Sequence, residues 1–232
     1  MQQLIAWLVA FMVAKAPLNR PHYIPEAKET SAETQARYEQ IAADIVEVIK
    51  TEKPLFKGVD GKIRTSSVIL SVMFHESGFR RDVDLGLGKL ARGDHGNSVC
   101  LMQLNIGKGH TAKWNRVQGR FALPSDSESD LEAGLSAGDI LANRQRCIRH
   151  GLRLIRLSFA SCGRMPQKDW LRVYTSGSCS GGEKESASRM GVALGWYQAH
   201  KPLFDDSSLT APASPPSSPT ENPDQRLGYK EK

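Results

Sequence analysis

The sequence predicts a mainly helical α+β domain, on three observations. Apolar residues recur at helical spacing in several stretches separated by turn signals. Two of these stretches open with a capping box, Thr30-Ser31-Ala32-Glu33 and Ser129-Asp130-Leu131-Glu132. Between Asp82 and Asn105 the helical period vanishes into a glycine-rich loop with at most a short hairpin, whose one strand-like run is Ser98 to Leu104, "SVCLMQL".

The chain opens with "MQQLIAWLVAFMVAKAP", an apolar run from Leu4 to Ala14 that is too short to span a bilayer, so no membrane-spanning segment is expected. Two readings stand side by side. The run fits a signal-peptide core, with Ala14-Lys15-Ala16 as a small-x-small site but no lysine or arginine before it. It also fits a helix packed on the domain, because Leu4, Trp7, Leu8, Phe11 and Met12 recur at helical spacing. Residues 17 to 29 are polar with prolines and read as a linker.

From the capping box at Thr30, the residues Tyr38, Ile41, Ala42, Ile45, Val48 and Ile49 form one apolar face, which predicts a helix to about Lys50. "FKGVDGK" is a turn. A second helix is expected from Thr65 or Ser66, marked by Val68, Ile69, Val72 and Met73 and stopped by Gly78. The capping box at Ser129 opens a helix with Leu131, Leu135 and Leu141. A further helix runs from Cys147 to Ser161 with Ile148, Leu152, Ile155 and Phe159 inward, and short helices follow around Trp170–Tyr174 and Ser186–Tyr197. From Asp205 onward the chain holds five of its twelve prolines and little to bury, so residues 205 to 232 are expected to be a disordered tail behind a domain of residues 30 to 204.

Net charge is +6, and residues 1 to 204 carry 28 lysines and arginines against 20 acids, which suits an anionic partner such as nucleic acid or an acidic cell-wall polymer. The arginines 144, 146, 149, 153 and 156 read as a solvated helix face or an anion-binding surface. Cys100, Cys147, Cys162 and Cys179 lack C-x-x-C spacing, which argues against structural zinc. In an oxidising compartment they allow two disulfides, and the positions favour Cys162–Cys179, which would pin the turn after Tyr174, with Cys100–Cys147 as the second pair. In a reducing compartment all four could be buried thiols. His75, His95 and His110 with Asp94 are irregularly spaced and contain no H-E-x-x-H, so no metal and no cofactor is expected. Trp114, Trp170 and Trp196 read as core residues, with stacking on sugar rings as the sharper alternative.

The chemistry centres on "VMFHESGF", residues 72 to 79. Val68, Val72 and Glu76 step by four, so a carboxylate sits at a core-facing position of a helix. Lost hydration there disfavours the charged form and raises the pKa towards that of a general acid. The bland reading is a glutamate that salt-bridges at the helix end, with Arg80 or Arg81.

Three segments then fall in order: "HESGF" at 75 to 79, "GDHGNSVCLMQLN" at 93 to 105, and Tyr174-Thr175-Ser176-Gly177. Over about residues 36 to 200 the chain resembles the lysozyme-like lytic transglycosylases of the SLT-domain family, whose motifs are a helix ending in E-S, a G-x-x-Q segment in a small β region, and a Y-N-x-G turn. The resemblance implies a lysozyme-like fold with Glu76 as acid and base and Ser77 as the hydroxyl that holds the site's hydrogen bonds. It implies that Gln103 lines the groove and binds sugar, and that Tyr174 hydrogen-bonds Glu76 or substrate. The substrate it implies is peptidoglycan, cleaved outside the cytoplasm, with nucleic acid not expected. Cys100 stands where the family has the glycine of G-x-M-Q, and Thr175-Ser176 replaces its asparagine-containing pair. A hydrolytic glycosidase would need a second carboxylate, for which Asp82, Asp84 and Asp94 are the candidates. A module that keeps the fold without turnover is a third reading.

Overall fold

The computed structural model describes residues 1–94, 97–105, 137–201 and 206–209. Its helices are α1 (Gln2–Lys15), α2 (Ser31–Thr51), α3 (Gly61–Ser77), α4 (Arg81–Leu85), α5 (Ala137–Leu141), α6 (Arg144–Cys162), α7 (Arg172–Ser176) and α8 (Glu183–Ala199). The strands β1 (Ser98–Val99) and β2 (Leu104–Asn105) form an antiparallel hairpin in which Ser98 faces Asn105 and Val99 faces Leu104. The described chain is therefore mainly helical with a small β region. The helix expected from Ser129 lies outside the described residues until Ala137, as do His95, His110 and Trp114.

Helix α3 is the buried axis. Every residue from Thr65 to Met73 is buried, and α3 packs most extensively on α8, with α1 and α2 on its other sides. A helix surrounded on all faces has no room for a polar stripe. Its hydroxyls are satisfied inside the helix instead: Thr65 Oγ1 donates to Gly61 O (2.7 Å) and Ser66 Oγ to Ile63 O (2.7 Å).

Helix α3 begins at Gly61 rather than at Thr65 or Ser66, and Ile63 of its first turn is already fully buried. Its N-terminus is closed from far along the chain. The carboxylate of Asp206 accepts from Lys62 N (2.7 Å) and Ile63 N (3.2 Å), satisfying donors that a helix start leaves open. Residues 206 to 209 thus form a docked 3-10 turn where a disordered tail is expected, and the rest of that tail lies outside the described residues.

The N-terminal segment is a helix packed in the core. Leu4, Leu8, Phe11 and Met12 are fully buried, and Phe11 meets Phe79 and Trp196 edge-on. Among the described residues no helix is long and apolar enough to cross a membrane. The expected linker is strapped to the domain. Tyr38 Oη donates to Ala16 O (2.9 Å), and the Arg37 guanidinium grips the Glu29 carboxylate with two bonds of 2.7 Å.

Helix α2 begins at the Thr30–Glu33 capping box and ends at Thr51. It packs on α6, and the arginines of α6 make the joint. Arg144 holds Asp44 (2.7 Å) and chelates Asp84 (2.9 Å twice), while Arg149, Arg153 and Arg156 converge on Glu52 at 3.3–3.5 Å. Four of the five arginines in the expected basic face are therefore ion-paired within the protein. Trp170 and Trp196 pack on the core, Trp170 against Phe159 and Trp196 against Phe11.

Two disulfides join Cys100 to Cys147 and Cys162 to Cys179, the pairs the positions favoured. The first ties the hairpin turn to α6, and the second ties the end of α6 to the segment after α7.

Candidate active site

Glu76 lies where α3 leaves the core. Helix α3 ends at Gly78, which adopts the left-handed conformation (φ 56°) and donates its N–H to Phe74 O (2.8 Å). Phe79 continues left-handed (φ 54°), which turns its ring back into the core against Phe74, Tyr38 and Phe11. Ser77 holds this reversal. Its Oγ donates to Met73 O (2.7 Å) and accepts from Phe79 N (3.2 Å). The serine of the E-S pair thus fixes the end of the helix that carries the glutamate.

The Glu76 side chain is 20% exposed, and its ion pair is made neither with Arg80 nor with Arg81 but with Arg189 of α8. Arg189 Nε (3.1 Å) and Nη2 (2.7 Å) both donate to Oε1. Arg80 instead pairs with Asp82, and Arg81 donates to Glu26 O (3.0 Å). The pKa of Glu76 is nonetheless raised above the ordinary value. Burial raises it, the Arg189 charge and hydrogen bond oppose that, and Asp94 adds a smaller upward push. The loss of hydration outweighs the ion pair.

The hairpin region reaches Glu76 through the Asp94 charge and through Tyr174. "SVCLMQL" folds back on itself rather than running as one strand, because Cys100 (φ 63°) and Gln103 (φ 44°) both adopt left-handed backbone at the turn. Cys100 is held in that conformation with its sulfur bonded to Cys147. The Gln103 side chain closes the loop, accepting from Gly93 N (2.8 Å) and donating to Cys100 O (3.0 Å). Its amide is engaged with the loop's own backbone.

Tyr174 joins this hairpin to α7. Its Oη donates to Met102 O (2.6 Å) and not to Glu76. Burial, reinforced by the nearby Glu76 charge, holds the phenol pKa well above its usual value, so the hydroxyl stays a donor. Glu76, Arg189 and Tyr174 are electrostatic neighbours, which brings the first and third sequence motifs together, and the Tyr174–Met102 bond attaches the second.

The three candidate second carboxylates separate sharply. Asp82 is fully buried and chelated by Arg80; Asp84 is nearly so and chelated by Arg144, with the Arg37 guanidinium at 3.8 Å. Both are committed to structural ion pairs, which also explains the five-residue helix α4 where the sequence suggests only loop. Asp94 is exposed, accepts from Ser98 Oγ (2.5 Å) and Asn105 Nδ2 (3.4 Å), and is the aspartate whose charge reaches Glu76.

His75 has both ring nitrogens engaged, with Ser71 O (2.8 Å) and Ser188 Oγ (2.9 Å), and burial lowers its pKa. The Ser71 carbonyl accepts only, so Nδ1 carries the proton and Nε2 accepts from Ser188. Among the described residues no cluster of three or more His, Cys, Asp or Glu is arranged to hold a metal ion.

Arg189 is the residue that sequence reasoning missed. It lies on the flank of the inward stripe Ser186, Met190 and Ala193, which is a signal that it faces another element. Nothing in the sequence pairs it with a carboxylate 113 residues earlier. No protein-family model matches this chain, and no curated protein and no solved structure matches it either.

Proposed function

We propose that this chain is a lysozyme-like lytic transglycosylase that cleaves the bond between N-acetylmuramic acid and N-acetylglucosamine in peptidoglycan, with Glu76 as acid and base. The observation that carries the reading is a mostly buried carboxyl at the end of α3 whose proton affinity is raised by burial even against a guanidinium. Such a group can hold a proton nearer to neutral pH than a solvated glutamate and deliver it to a leaving oxygen. In this mechanism the Glu76 proton passes to the glycosidic oxygen as the C1–O bond breaks. The resulting carboxylate takes the proton of the muramoyl 6-hydroxyl as that oxygen bonds to C1. The product is a 1,6-anhydro end, no water is consumed, and Glu76 finishes protonated as it began.

One carboxyl suffices for this sequence of steps, whereas hydrolysis through the usual scheme needs two. The commitment of Asp82 and Asp84 to arginines favours the one-carboxyl route. Ser77, Gln103 and Tyr174 serve it by fixing the helix end and the hairpin. Two disulfides suit an oxidising location outside the cytoplasm, where cell-wall glycan is found.

A hydrolytic reading keeps one specific support, the proximity of the Asp94 charge to Glu76. Mass spectrometry of wall digests decides between them. Anhydromuramoyl ends, lighter by one water, support the transglycosylase. Reducing muramic acid ends, lost in Asp94→Asn, would establish the hydrolase.

A further inference from the structure

We propose that Arg189 is a positioning residue that divides the work of the two Glu76 oxygens, fixing Oε1 as a permanent acceptor and leaving Oε2 as the oxygen that carries the proton. The proposal rests on the transglycosylase reading and adds to it a residue outside all three sequence motifs.

The geometry of the pair is the first support. An arginine that fully satisfies a carboxylate usually lays two parallel N–H groups along both oxygens. Here Nε and Nη2 both point at Oε1, at 3.1 and 2.7 Å, and among the described residues no hydrogen bond falls on Oε2. Protonation at Oε1 would set a proton against two N–H donors, whereas Oε2 can accept it without losing a bond.

The second support is that the guanidinium is itself held. Its Nη1 donates to Glu185 O (3.1 Å), and the Arg189 carbonyl accepts from Ser71 Oγ (2.7 Å). One residue earlier, Ser188 is tied to His75, the neighbour of Glu76, at 2.9 Å. Two adjacent residues of α3 are thus cross-linked to two adjacent residues of α8. A chelating contact anchored at both ends fixes the carboxyl torsion in a way a mobile surface ion pair does not.

The arrangement also bears on proton affinity. Among the described residues the charged or ionisable groups that act on Glu76 are Arg189 from α8 and Asp94 from the loop before the hairpin, and Tyr174 from α7 is coupled to it. Arg189 is the cation among them, so it opposes both burial and Asp94. That opposition lets one group serve as acid and then as base.

The test uses the full chain with Arg189→Met and Arg189→Lys. Three quantities are measured: the pH profile of wall cleavage, the melting temperature, and the titration of Glu76 by carbon-13 carboxyl resonances. Methionine keeps the apolar stem and removes the charge. The carboxyl titration and the alkaline limb of kcat/KM should both move to higher pH, and kcat at the optimum should fall by up to about 10²-fold, as for a misplaced reacting group. Lysine keeps the charge but offers one contact point, so the limb should stay near wild type while kcat falls less than with methionine and KM changes little.

A merely structural tie between α3 and α8 predicts lower melting temperatures with kcat of the folded Arg189→Lys protein unchanged. If methionine prevents folding, a lysine variant with wild-type kcat overturns the proposal by itself. An active wild type with an unmoved limb and an unmoved carboxyl titration in Arg189→Met overturns this assignment alone. A wild type that cleaves no wall, or an active Glu76→Gln, overturns the catalytic reading and this assignment with it.

Discussion

Tyr174 Oη donates a 2.6 Å hydrogen bond to the carbonyl of Met102, a residue 72 positions earlier and fully buried. This bond, rather than one to Glu76, is what the tyrosine of the third motif makes. It fastens the hairpin turn to α7, and each of the two is also tied by a disulfide: Cys100–Cys147 holds the turn to α6 and Cys162–Cys179 joins the segments that flank α7.

Tyr174→Phe should therefore act mainly on stability. Removing the phenolic oxygen leaves the Met102 carbonyl buried without its donor, which costs about 1–3 kcal/mol and several degrees of melting temperature in a chain of this size. Because the hydroxyl is already donated to the loop, cleavage by the folded variant should fall by no more than about tenfold, far less than the loss of a general acid. Thermal unfolding and a wall-cleavage assay on the same preparation check both halves. A loss of turnover as deep as that of Glu76→Gln would move the phenol into the chemistry.

The disulfides should be separable by peptide mapping without reductant, which we expect to recover only the 100–147 and 162–179 pairs. By loop entropy the Cys162–Cys179 bond, closing 16 intervening residues, is worth about 3 kcal/mol. The Cys100–Cys147 bond, closing a loop nearly three times as long, is worth about 4 kcal/mol. Replacing each pair with alanines should lower stability in that order. Free thiols in the oxidised protein, or crossed pairs, would contradict the arrangement.

Asp84 and Asp94 should behave oppositely. Asp84→Ala removes a carboxylate chelated by Arg144 and leaves that guanidinium without one of its anions, which by comparison with other broken buried pairs costs about 3–5 kcal/mol. The folded fraction should retain its chemistry. Asp94→Asn should leave stability within about 0.5 kcal/mol, as for exposed positions, and on the transglycosylase reading should not abolish cleavage. Urea unfolding and product analysis separate the two effects, and an inactive but stable Asp94→Asn would point to the hydrolase.

What the sequence made legible follows from what is local. The capping box at Thr30, the stop at Gly78 and the burial of Val68 to Met73 depend on residues a few positions apart, and the spacing of Val68, Val72 and Glu76 shows a carboxylate in apolar company. The start of α3 was hidden because its cap is Asp206, over 140 residues away. Helix α4 was hidden because five residues cannot display a helical period, and Asp84 on it is held by Arg144 from a segment 60 residues away. The partner of Glu76 was hidden for the same reason: tertiary pairing of Arg189 leaves no mark on local spacing. Nor does periodicity foretell that Cys100 and Gln103 take left-handed backbone, since neither is a glycine and the disulfide and the loop's hydrogen bonds supply what holds them there.

The last prediction sets the catalytic and the structural readings of Glu76 against each other through pH. Glu76→Gln fills the same space and can still accept from Arg189 but has no acidic proton, so wall cleavage should fall by roughly 10²- to 10⁴-fold. Stability should change with a definite sign. The folded-state pKa is raised above the ordinary glutamate value by burial, so the folded protein holds the proton more tightly than the unfolded chain. Above both pKa values the charged carboxyl is a net cost to folding; below the unfolded value that cost is absent. Wild-type stability contributed by this group is thus fully present in acid and is lost as pH rises through the folded pKa. Glutamine does not titrate, so the melting temperature of the variant relative to wild type should be higher at pH 7 than at pH 4, by about 2–4 °C for each kcal/mol of the penalty. If the ion pair with Arg189 were instead the purpose of Glu76, the sign would reverse and glutamine would be relatively more destabilising at pH 7 than at pH 4. Melting curves at the two pH values, on protein shown by circular dichroism to be folded, read that sign directly.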